Sequence, residues 1–522
     1  MGPEANIDLI RVLEKQIEEG NGDIIKLKRD RNSLLNISIR IPPEILGYIF
    51  AQCLIREWAS QELQKGSYKF LLVCHHWFEV ASDTPELWSF WGVSFRDWKK
   101  RHHRSAATPL DLVYNGYKRD PTPFDESLQD AIRSRVMQNT IRSVHLVTDN
   151  LFALMPIISS LIPDDGGDQN ENIESIYLHY TLGTCTGTLD VSAFFTRSRL
   201  PRLRSLGLFG DLYISSWDHL LPRTTLLTSL SLVVDASTPP PRPTAAQLCS
   251  ILSSNPNLQE LKLSGDVLPD NTDTPTLTVP LPHLKMLSLT GELHRLFGLL
   301  RQLILPEMLD DLYLIGSDFT VVDVSQTLAP YMRDYFQRDP RFQNPLEVST
   351  SQDSTSIKVT VAGAPGIASS QREPPRASLT IFTYTPLYAP ERLLVDLITL
   401  IPLERVVSFH ARVDIKLPED LFCMMPNIEI LRLSGQMSSR RFLQPNRNGS
   451  HANTKLLPSL RSLRLENPGF LGDNEWGHLK TYLAHRTSDN QAISLEVIGK
   501  ISSGPPEIVN EIRRLVKQFI HR

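Results

Sequence analysis

IPPEILGYIF (residues 41–50) and FLLVCHHWFEVASDTPELW (residues 70–88) are the two segments whose patterns decide how the N-terminal part of this chain folds. Pro42 and Pro43 have no backbone N–H donor and therefore suit the first turn of a helix, where donors are unpaired. Glu44 complements the positive end of the helix dipole. The next four apolar residues are spaced as one face of a short helix: Ile45, Leu46, Ile49 and Phe50.

The second segment predicts two further helices. A helix that begins near Ser67 would place five side chains on one side: Phe70, Val73, Cys74, Trp77 and Ala81. Thr84, Pro85 and Glu86 form another start signal, with a cap residue, a proline and an acid in the first turn. A three-helix unit this small buries little core, so we expect its apolar surface to contact a partner.

This stretch resembles an F-box, and specifically the F-box-like domains of mushroom-forming fungi. The matching residues are Ile41 to Leu46, Ile49-Phe50, Val73-Cys74, Trp77 and Thr84 to Trp88. The resemblance implies a helical domain over residues 39–92 that docks a Skp-type adaptor and, through it, a cullin ubiquitin ligase. The implied adaptor-binding residues are Ile41, Pro42, Pro43, Ile45, Leu46, Ile49, Phe50, Val73 and Cys74. We expect Pro43, Leu46, Ile49 and Val73 to form the contact surface, and Trp77 and Trp88 to be structural.

From Ile141 onward one apolar pattern recurs: an apolar residue, two residues, an apolar residue, one residue, an apolar residue. Up to residue 309 the copies begin 24 to 32 residues apart, which brackets the leucine-rich repeat, a strand plus a helix. The triplets are 141-144-146, 173-176-178, 203-206-208, 227-230-232, 258-261-263, 284-287-289, 309-312-314, 428-431-433 and 460-463-465. Helical stretches lie between them, for example Thr244 to Asn255 and Glu475 to Arg486. The pattern is similar to the irregular leucine-rich repeats found behind F-boxes.

We therefore expect a solenoid over residues 140–500, capped by a C-terminal helix within 501–522. Between Leu314 and Leu403 the pattern weakens, and two alternating segments remain, residues 357–361 and 379–381. The segments 349–356 and 363–376 are rich in Ser, Thr, Gly and Pro and are predicted to be loops. The interpretation is that degenerate repeats continue around one insertion.

Residues 1–38 form a charged leader with apolar residues at coiled-coil spacing. Ile10, Ile17 and Ile24 fall at a positions, and Leu13, Leu27 and Leu34 fall at d positions. Two interpretations stay open: a homodimer through residues 7–37, or an amphipathic helix or broken hairpin before the F-box. Residues 93–139 are predicted to be a helical linker. The basic run 99–104 is either a nuclear-import or phosphate-binding patch, or a solvated helix end.

Length and composition exclude several classes of protein. A chain of 522 residues exceeds one compact core, which predicts several domains or a repeat array. The net charge of −4 argues against general nucleic-acid binding, and no apolar run is long enough to span a membrane. The five cysteines form no CxxC pair, and no apolar signal segment begins the chain. We therefore expect a reducing compartment, cytoplasmic or nuclear.

The motifs of common catalytic sites are missing from the sequence. There is no Walker loop, no GxGxxG after a strand and no HExxH, and the histidines have no partners at metal-ligand spacing. Cys185 lies in GTCTG after a predicted strand, but a nucleophile elbow opens directly into a helix and this segment does not. We expect no enzyme activity, no catalytic residue, no metal and no cofactor.

The predicted fold is α/β, with an N-terminal helix and a helical F-box followed by an irregular leucine-rich-repeat solenoid. The resemblance implies the substrate-recognition subunit of a Skp–cullin–F-box type E3 ubiquitin ligase, whose solenoid binds an unknown target protein. The alternative is a leucine-rich-repeat interaction scaffold without a ligase role. Side chains alternate along a strand, so residues between the buried leucines face outward. Among them, Tyr313, Arg432 and Arg464 are the predicted target-binding residues.

Overall fold

The computed structural model describes residues 3–18, 26–28, 30, 41–59, 69–91, 108–115, 126–138, 140–161, 172–181, 189–197, 200–218, 220, 226–234, 242–270, 278–307, 309–317, 328–339, 342, 345–352, 356–363, 378–384, 390–412, 419–434, 457–466, 473–488, 492–498 and 506–521. The chain is mixed α/β, and its strands pair mostly in parallel. It divides into two compact units. The first unit contains Met1–Ser205 and Gly210–Leu212, and the second contains Leu206–Phe209 and Tyr213–Arg522.

The α-helices are α1 (Pro3–Glu18), α2 (Pro43–Ala59), α3 (His75–Ser82), α4 (Glu126–Met137), α5 (Leu151–Leu161), α6 (Ser192–Arg197), α7 (Ala245–Ser253), α8 (Leu293–Leu300), α9 (Ala329–Arg338), α10 (Pro390–Ile398), α11 (Glu419–Cys423), α12 (Asp473–Ser488) and α13 (Pro506–Leu515). Short 3-10 helices cover Lys69–Leu72, Pro85–Leu87 and Leu403–Arg405.

The strands of the first part of the chain are β1 (Phe90–Trp91), β2 (Leu110–Asn115), β3 (Ile141–Thr148), β4 (Ser175–Tyr180), β5 (Leu189–Asp190), β6 (Ser205–Gly210), β7 (Leu212–Tyr213), β8 (Ser229–Val234), β9 (Glu260–Gly265), β10 (Val279–Pro280) and β11 (Met286–Glu292). They are followed by β12 (Leu303–Ile304), β13 (Asp311–Ser317), β14 (Leu346–Gln352), β15 (Ser356–Gly363), β16 (Ser378–Tyr384), β17 (Val406–Arg412), β18 (Ile430–Ser434), β19 (Ser462–Glu466), β20 (Ser494–Ile498) and β21 (Gln518–His521).

The segment from residue 41 to residue 91 contains the predicted helices in altered form. Helix α2 begins at Pro43 as expected, and the Leu46 N–H donates to the Pro42 carbonyl at 3.0 Å. The continuous helix predicted from Ser67 is wrong. Cys74 is extended, with φ −161° and ψ 168°, and its Sγ accepts from the Trp77 N–H, so it acts as the N-cap of α3. A 3-10 turn precedes this cap.

The stretch predicted to be a helical linker contains a strand. Residues 110–115 form β2, which pairs in parallel with β1 and with β3. Leu110 and Leu112 are buried, and β-branched and aromatic residues such as Val113 and Tyr114 suit a pleated surface. Helix α4 then follows within the same stretch, so its described residues form a strand over 110–115 and a helix over 126–137. In the first unit β3 also pairs in parallel with β4.

The nine apolar triplets fall on or directly before strands, as predicted. Every residue of these triplets is buried, with an exposed fraction of 2% or less. In the second unit the parallel run β8–β9–β11–β13–β16 aligns the leucines in one row, Leu261 beside Leu287, Leu287 beside Leu312 and Leu312 beside Leu379. The helices predicted around Thr244 and Glu475 are confirmed as α7 and α12, and Thr244 caps α7 through a capping box.

The weak region between residues 314 and 403 differs from the prediction. Residues 379–381 lie on β16, parallel to β13, as expected for a repeat strand. Residues 357–361 lie on β15, which runs antiparallel to both β14 and β16, so they do not continue the parallel array. Strand β14 occupies much of the stretch predicted to be a loop. It pairs in parallel with β17, and the parallel run β17–β18–β19–β20–β21 follows.

The C-terminal segment is a helix followed by a strand, not a helix alone. Helix α13 ends at Leu515, and β21 then pairs in parallel with β20. Pairing with β20 satisfies backbone groups that a terminal helix would leave open at the edge of β20. At the other end of the chain, α1 contains Leu13, which is buried, and Leu9, which is exposed.

Several sequence predictions lie outside the described residues. They are Ile24 and Leu34 of the coiled-coil pattern, the basic run 99–104, Cys185 and residues 364–376 of the predicted loop 363–376. The homodimer through residues 7–37 stays a prediction.

Candidate functional site

The segment from residue 41 to residue 91 has a small core of its own, built between α2, α3 and the 3-10 turn after α3. Its buried members are Leu46, Phe50, Val80, Ala81, Leu87 and Trp88. The Phe50 and Trp77 rings lie 5.0 Å apart, and the Trp88 Nε1–H donates to the Ala81 carbonyl at 2.8 Å. Leu46 and Phe50 were predicted to lie on the adaptor-binding surface, and this is wrong because each is only 2% exposed.

Gly47 allows α2 to lie against the end of α3. A Cβ at this position would lie 2.7 Å from Thr84 Oγ1 and 3.2 Å from Thr84 Cγ2. Thr84 Oγ1 is itself held, because it donates to the Val80 carbonyl at 2.6 Å. The close approach determines which side of α2 turns inward.

As a result α2 carries a second apolar face that points to solvent. Leu46 and Phe50 are buried, whereas Ile45 and Ile49, each one position earlier, are exposed. The same segment contains further exposed apolar side chains. Phe78 is one of them and lies on α3; the others are Tyr48, Leu72 and Val73, which with Ile45 and Ile49 make a set of five with exposed fractions between 42% and 85%. Single exposed apolar residues are normal on a protein, but several in so short a segment are typical of an interaction surface. We call these five residues the apolar surface.

The remaining predicted adaptor-binding residues lie around this surface. Pro42 and Pro43 are exposed, and Ile41 and Cys74 are half-buried. Cys74 has a structural task as the N-cap of α3. Trp77 and Trp88 pack into or against the core, as predicted for structural residues.

The second candidate site lies on the outward face of strands β17 to β20 in the second unit. Side chains at matching positions form a row across these parallel strands: His410, Arg432, Arg464 and Glu496. Two residues further along the strands a second row contains Arg412, Ser434 and Glu466. We call these seven residues the ionic cluster.

The cluster is tied together by short polar contacts. Ser434 Oγ donates to Glu466 Oε2 at 2.8 Å and lies 3.0 Å from His410 Nε2. Arg464 Nε lies 2.6 Å from Glu466 Oε1, and Arg464 Nη1 lies 3.4 Å from Glu496 Oε2. Two glutamates therefore form ion pairs with the guanidinium of Arg464.

Charges inside the cluster shift its titrating groups. Burial lowers the pKa of His410, and the guanidinium groups of Arg432, Arg464 and Arg412 lower it further, while the Glu466 carboxylate opposes them. Burial raises the pKa of Glu466, but the hydrogen bond from Ser434 and the charge of Arg464 outweigh it, so the net shift is downward. Neutral imidazole and ionised carboxylate are thus the favoured forms near neutral pH.

The chemistry of the cluster is suited to binding. A Ser–His–acid triad needs the carboxylate on the imidazole, with the imidazole free to take the proton of the hydroxyl. Here the carboxylate of Glu466 accepts from the Ser434 hydroxyl and lies 3.9 Å from His410 Nε2. A carboxylate with a lowered pKa is a weak base, so this arrangement does not activate Ser434 as a nucleophile.

The structure brings two of the three predicted target-binding residues together. Arg432 and Arg464 are direct neighbours on β18 and β19. Tyr313 lies on β13, and β16, β15, β14 and β17 lie between it and β18. Five strand spacings separate Tyr313 from Arg432 by roughly 24 Å along the sheet.

Sequence reasoning missed five residues of the ionic cluster: His410, Arg412, Ser434, Glu466 and Glu496. A signal was present for the first two, because Val406, Phe409 and Ala411 alternate with outward positions in the same way as the leucine triplets. Ser434 and Glu466 could have been found by extending the outward row by two residues past Arg432 and Arg464.

Among the described residues, no group of three or more His, Cys, Asp or Glu side chains is placed to hold a metal ion. No helix in the described part of the chain has both the length and the apolar character needed to cross a membrane. No protein-family model matches the sequence, and no curated protein matches it.

Proposed function

We propose that this chain is the substrate-recognition subunit of a Skp–cullin–F-box type E3 ubiquitin ligase. In this proposal the segment from residue 41 to residue 91 docks a Skp-type adaptor, and the outward face of the strands in the second unit holds the target protein. The chain itself performs no chemical step, because it accelerates ubiquitin transfer by bringing target and ubiquitin-charged enzyme together.

The observation that carries the proposal is the apolar surface. Ile45, Ile49 and Val73 are among the residues on which the resemblance to an F-box rests, and all three expose apolar side chains to water. If α2 needed only to pack on its own core, it would have polar residues at the positions of Ile45 and Ile49. Apolar side chains there are expected where a partner covers them.

The adaptor contact is tested with the full chain and a recombinant Skp-type adaptor. The variant Ile45→Asp/Ile49→Asp replaces two exposed apolar side chains, and we expect it to abolish co-purification. Truncating one desolvated anchor at an interface costs about 2 kcal/mol or more, and a buried charge adds to that. Because both side chains are exposed in the free chain, the variant should keep the parent's melting temperature.

The matched control is Ile304→Asp/Met424→Asp, which makes the same kind of change at two exposed apolar residues of the second unit. We expect this control to bind the adaptor as the parent does. Failure of the parent itself to bind the adaptor would remove the ligase role and leave the interaction scaffold as the function. Equal binding by Ile45→Asp/Ile49→Asp would place the contact elsewhere in the chain.

A further inference from the structure

The ionic cluster contains more positive charge than its own acids neutralise. Arg464 is paired with Glu466 and Glu496. Arg412 and Arg432 are exposed, and neither forms an ion pair with any residue that the structure describes. With His410 neutral, three guanidinium groups face two carboxylates, so one positive charge remains without a counter-charge inside the cluster.

The two exposed arginines lie close enough to hold one ligand. Arg432 pairs with His410 across β17 and β18, and Arg412 lies two residues beyond His410 on β17. One strand spacing and two residue rises separate their backbones by about 8 Å. Guanidinium groups at the ends of two such side chains can converge on a single carboxylate or reach two carboxylates of one peptide.

The positive charge continues along the second row. Arg412 lies beside Ser351 on β14, and Ser351 lies beside Lys358 on β15. Lys358 is exposed. The acids nearest to this line on the same face are Glu347, two rows away on β14, and Glu466 and Glu496, which are engaged with Arg464. Lys358, Arg412 and Arg432 therefore form a short cationic strip.

We infer that this strip binds an acidic peptide segment, with Arg412 and Arg432 holding its carboxylates and Lys358 extending the contact. The inference deepens the proposed function because it names the chemistry of the target segment. Binding of the peptide is independent of the ligase role, and only the statement that the peptide belongs to a ligase target rests on the proposed function. Arg464 positions the site, because two glutamates fix its guanidinium beside Arg432.

A nucleic acid fits the strip less well than a peptide does. Proteins that bind nucleic acid through its backbone neutralise many phosphates, about 6–10 in a specific complex. Here the strip has only three cations, Glu466 lies one strand away from Arg432 and would repel a longer polyanion, and the whole chain has a net charge of −4. Three cations are enough for the two or three acids of a short peptide.

The test measures binding of fluorescein-labelled hexaglutamate to the full chain by fluorescence anisotropy at low ionic strength. We expect the variant Arg412→Ser/Arg432→Ser to weaken the Kd at least tenfold, because two charge-assisted contacts are lost. Arg412→Lys/Arg432→Lys keeps both charges and should retain most of the affinity. Raising the salt concentration should weaken binding by the parent more than by the serine variant.

The matched control is Arg301→Ser/Arg461→Ser, which removes the same two charges from exposed positions of the second unit. We expect its Kd for hexaglutamate to stay within twofold of the parent's. An equal loss in this control would show unspecific attraction and overturn the inference, as would an unchanged Kd in Arg412→Ser/Arg432→Ser or no binding by the parent. Stronger binding of a single-stranded oligonucleotide than of hexaglutamate at the same residues would overturn the peptide assignment.

Adaptor binding is measured on the same preparations. Hexaglutamate binding without adaptor binding would remove the ligase proposal and leave the acidic-peptide site standing. Adaptor binding without hexaglutamate binding would support the ligase proposal and overturn the acidic-peptide site.

Discussion

The segment from residue 41 to residue 91 and the strands of the second unit differ in how completely they bury their apolar side chains. In the strands, the apolar triplets are buried completely and the outward positions of β17 to β20 carry charge. In the earlier segment, α2 buries Leu46 and Phe50 but exposes Ile45 and Ile49. The difference teaches that the exposed side chains are apolar on the helices and charged on the strands, and it is the basis of the two partners proposed above.

The contrast has a physical cause in size. A parallel array adds a strand and a helix with every repeat, so each apolar residue finds a neighbour that covers it. The described residues of the segment 41–91 form two α-helices and two 3-10 turns, which are too few elements to cover both sides of α2. Its remaining apolar residues must be covered by something else or stay in water.

The largest expected effect separates the two faces of α2. Leu46→Ala removes a buried side chain and should destabilise this segment by about 2–5 kcal/mol, whereas Ile49→Ala removes an exposed one and should change its stability by no more than about 0.5 kcal/mol. Hydrogen exchange of the α2 amide groups measures both. Equal effects of the two substitutions would mean that α2 is not held by the core described here.

The next largest effect is a difference in stability between replacing a buried and replacing an exposed arginine of the second unit. Arg486 is buried and donates to the Leu457 carbonyl at 2.6 Å and to the Leu460 carbonyl at 2.7 Å. Arg486→Met should destabilise the unit by roughly 3 kcal/mol because those carbonyls lose their donor. Arg461→Met changes an exposed side chain and should leave the unfolding midpoint in urea nearly unchanged. A similar midpoint shift in both variants would contradict the assignment of Arg486 as a structural tie.

Acid should destabilise the first unit through His145. Burial lowers the pKa of His145 to about 4, with a smaller contribution from the charge of His179, and its ring stacks on Tyr177 at 4.1 Å. The unfolded chain takes up this proton near pH 6.5, so the stability present above that pH is lost as the pH falls towards 4, by up to about 3 kcal/mol.

His145→Gln cannot take up the proton, so the variant should lose less stability than the parent between pH 6.5 and pH 4. Hydrogen exchange of the β3 amide groups at the two pH values provides the measurement. An identical acid dependence of parent and variant would show that His145 is not the group responsible.

The sequence predicted the strand array well and the helix faces poorly, for physical reasons. Each triplet by itself predicts which side of its strand is buried, because apolar residues at alternating positions can only be buried together on one side of a strand. On α2 the pattern of Ile45, Leu46, Ile49 and Phe50 fits two different inward faces. The choice depends on the close approach of Gly47 to Thr84, which lie 37 positions apart in the sequence and come together only in the fold.

Strand β14 of the insertion was predicted to be a loop for a related reason. Strand β14 reads LEVSTSQ, and its inward positions include Thr350, a buried hydroxyl in place of an apolar side chain. A strand with so few apolar residues looks like a Ser- and Thr-rich loop when only its own sequence is considered. Its place is set by pairing with β15, the next strand along the chain, and with β17, which is a distant contact. The same insertion moves Tyr313 away from the arginines, so only Arg432 and Arg464 remain as neighbours in one candidate site.

The smallest expected effect is a change in the pKa of His410 in the ionic cluster, which leaves the fold unchanged. Glu466 raises the pKa of His410, whereas Arg432 lowers it. Glu466→Gln should therefore lower the pKa of His410 further, and Arg432→Ser should raise it, while the global stability of each variant changes by no more than about 0.5 kcal/mol. The His410 ring signals, followed by NMR from pH 4 to pH 8, report both shifts. Because the two substitutions remove opposite charges from the same neighbourhood, only opposite shifts agree with this geometry, and shifts in the same direction would show that His410 does not lie between them.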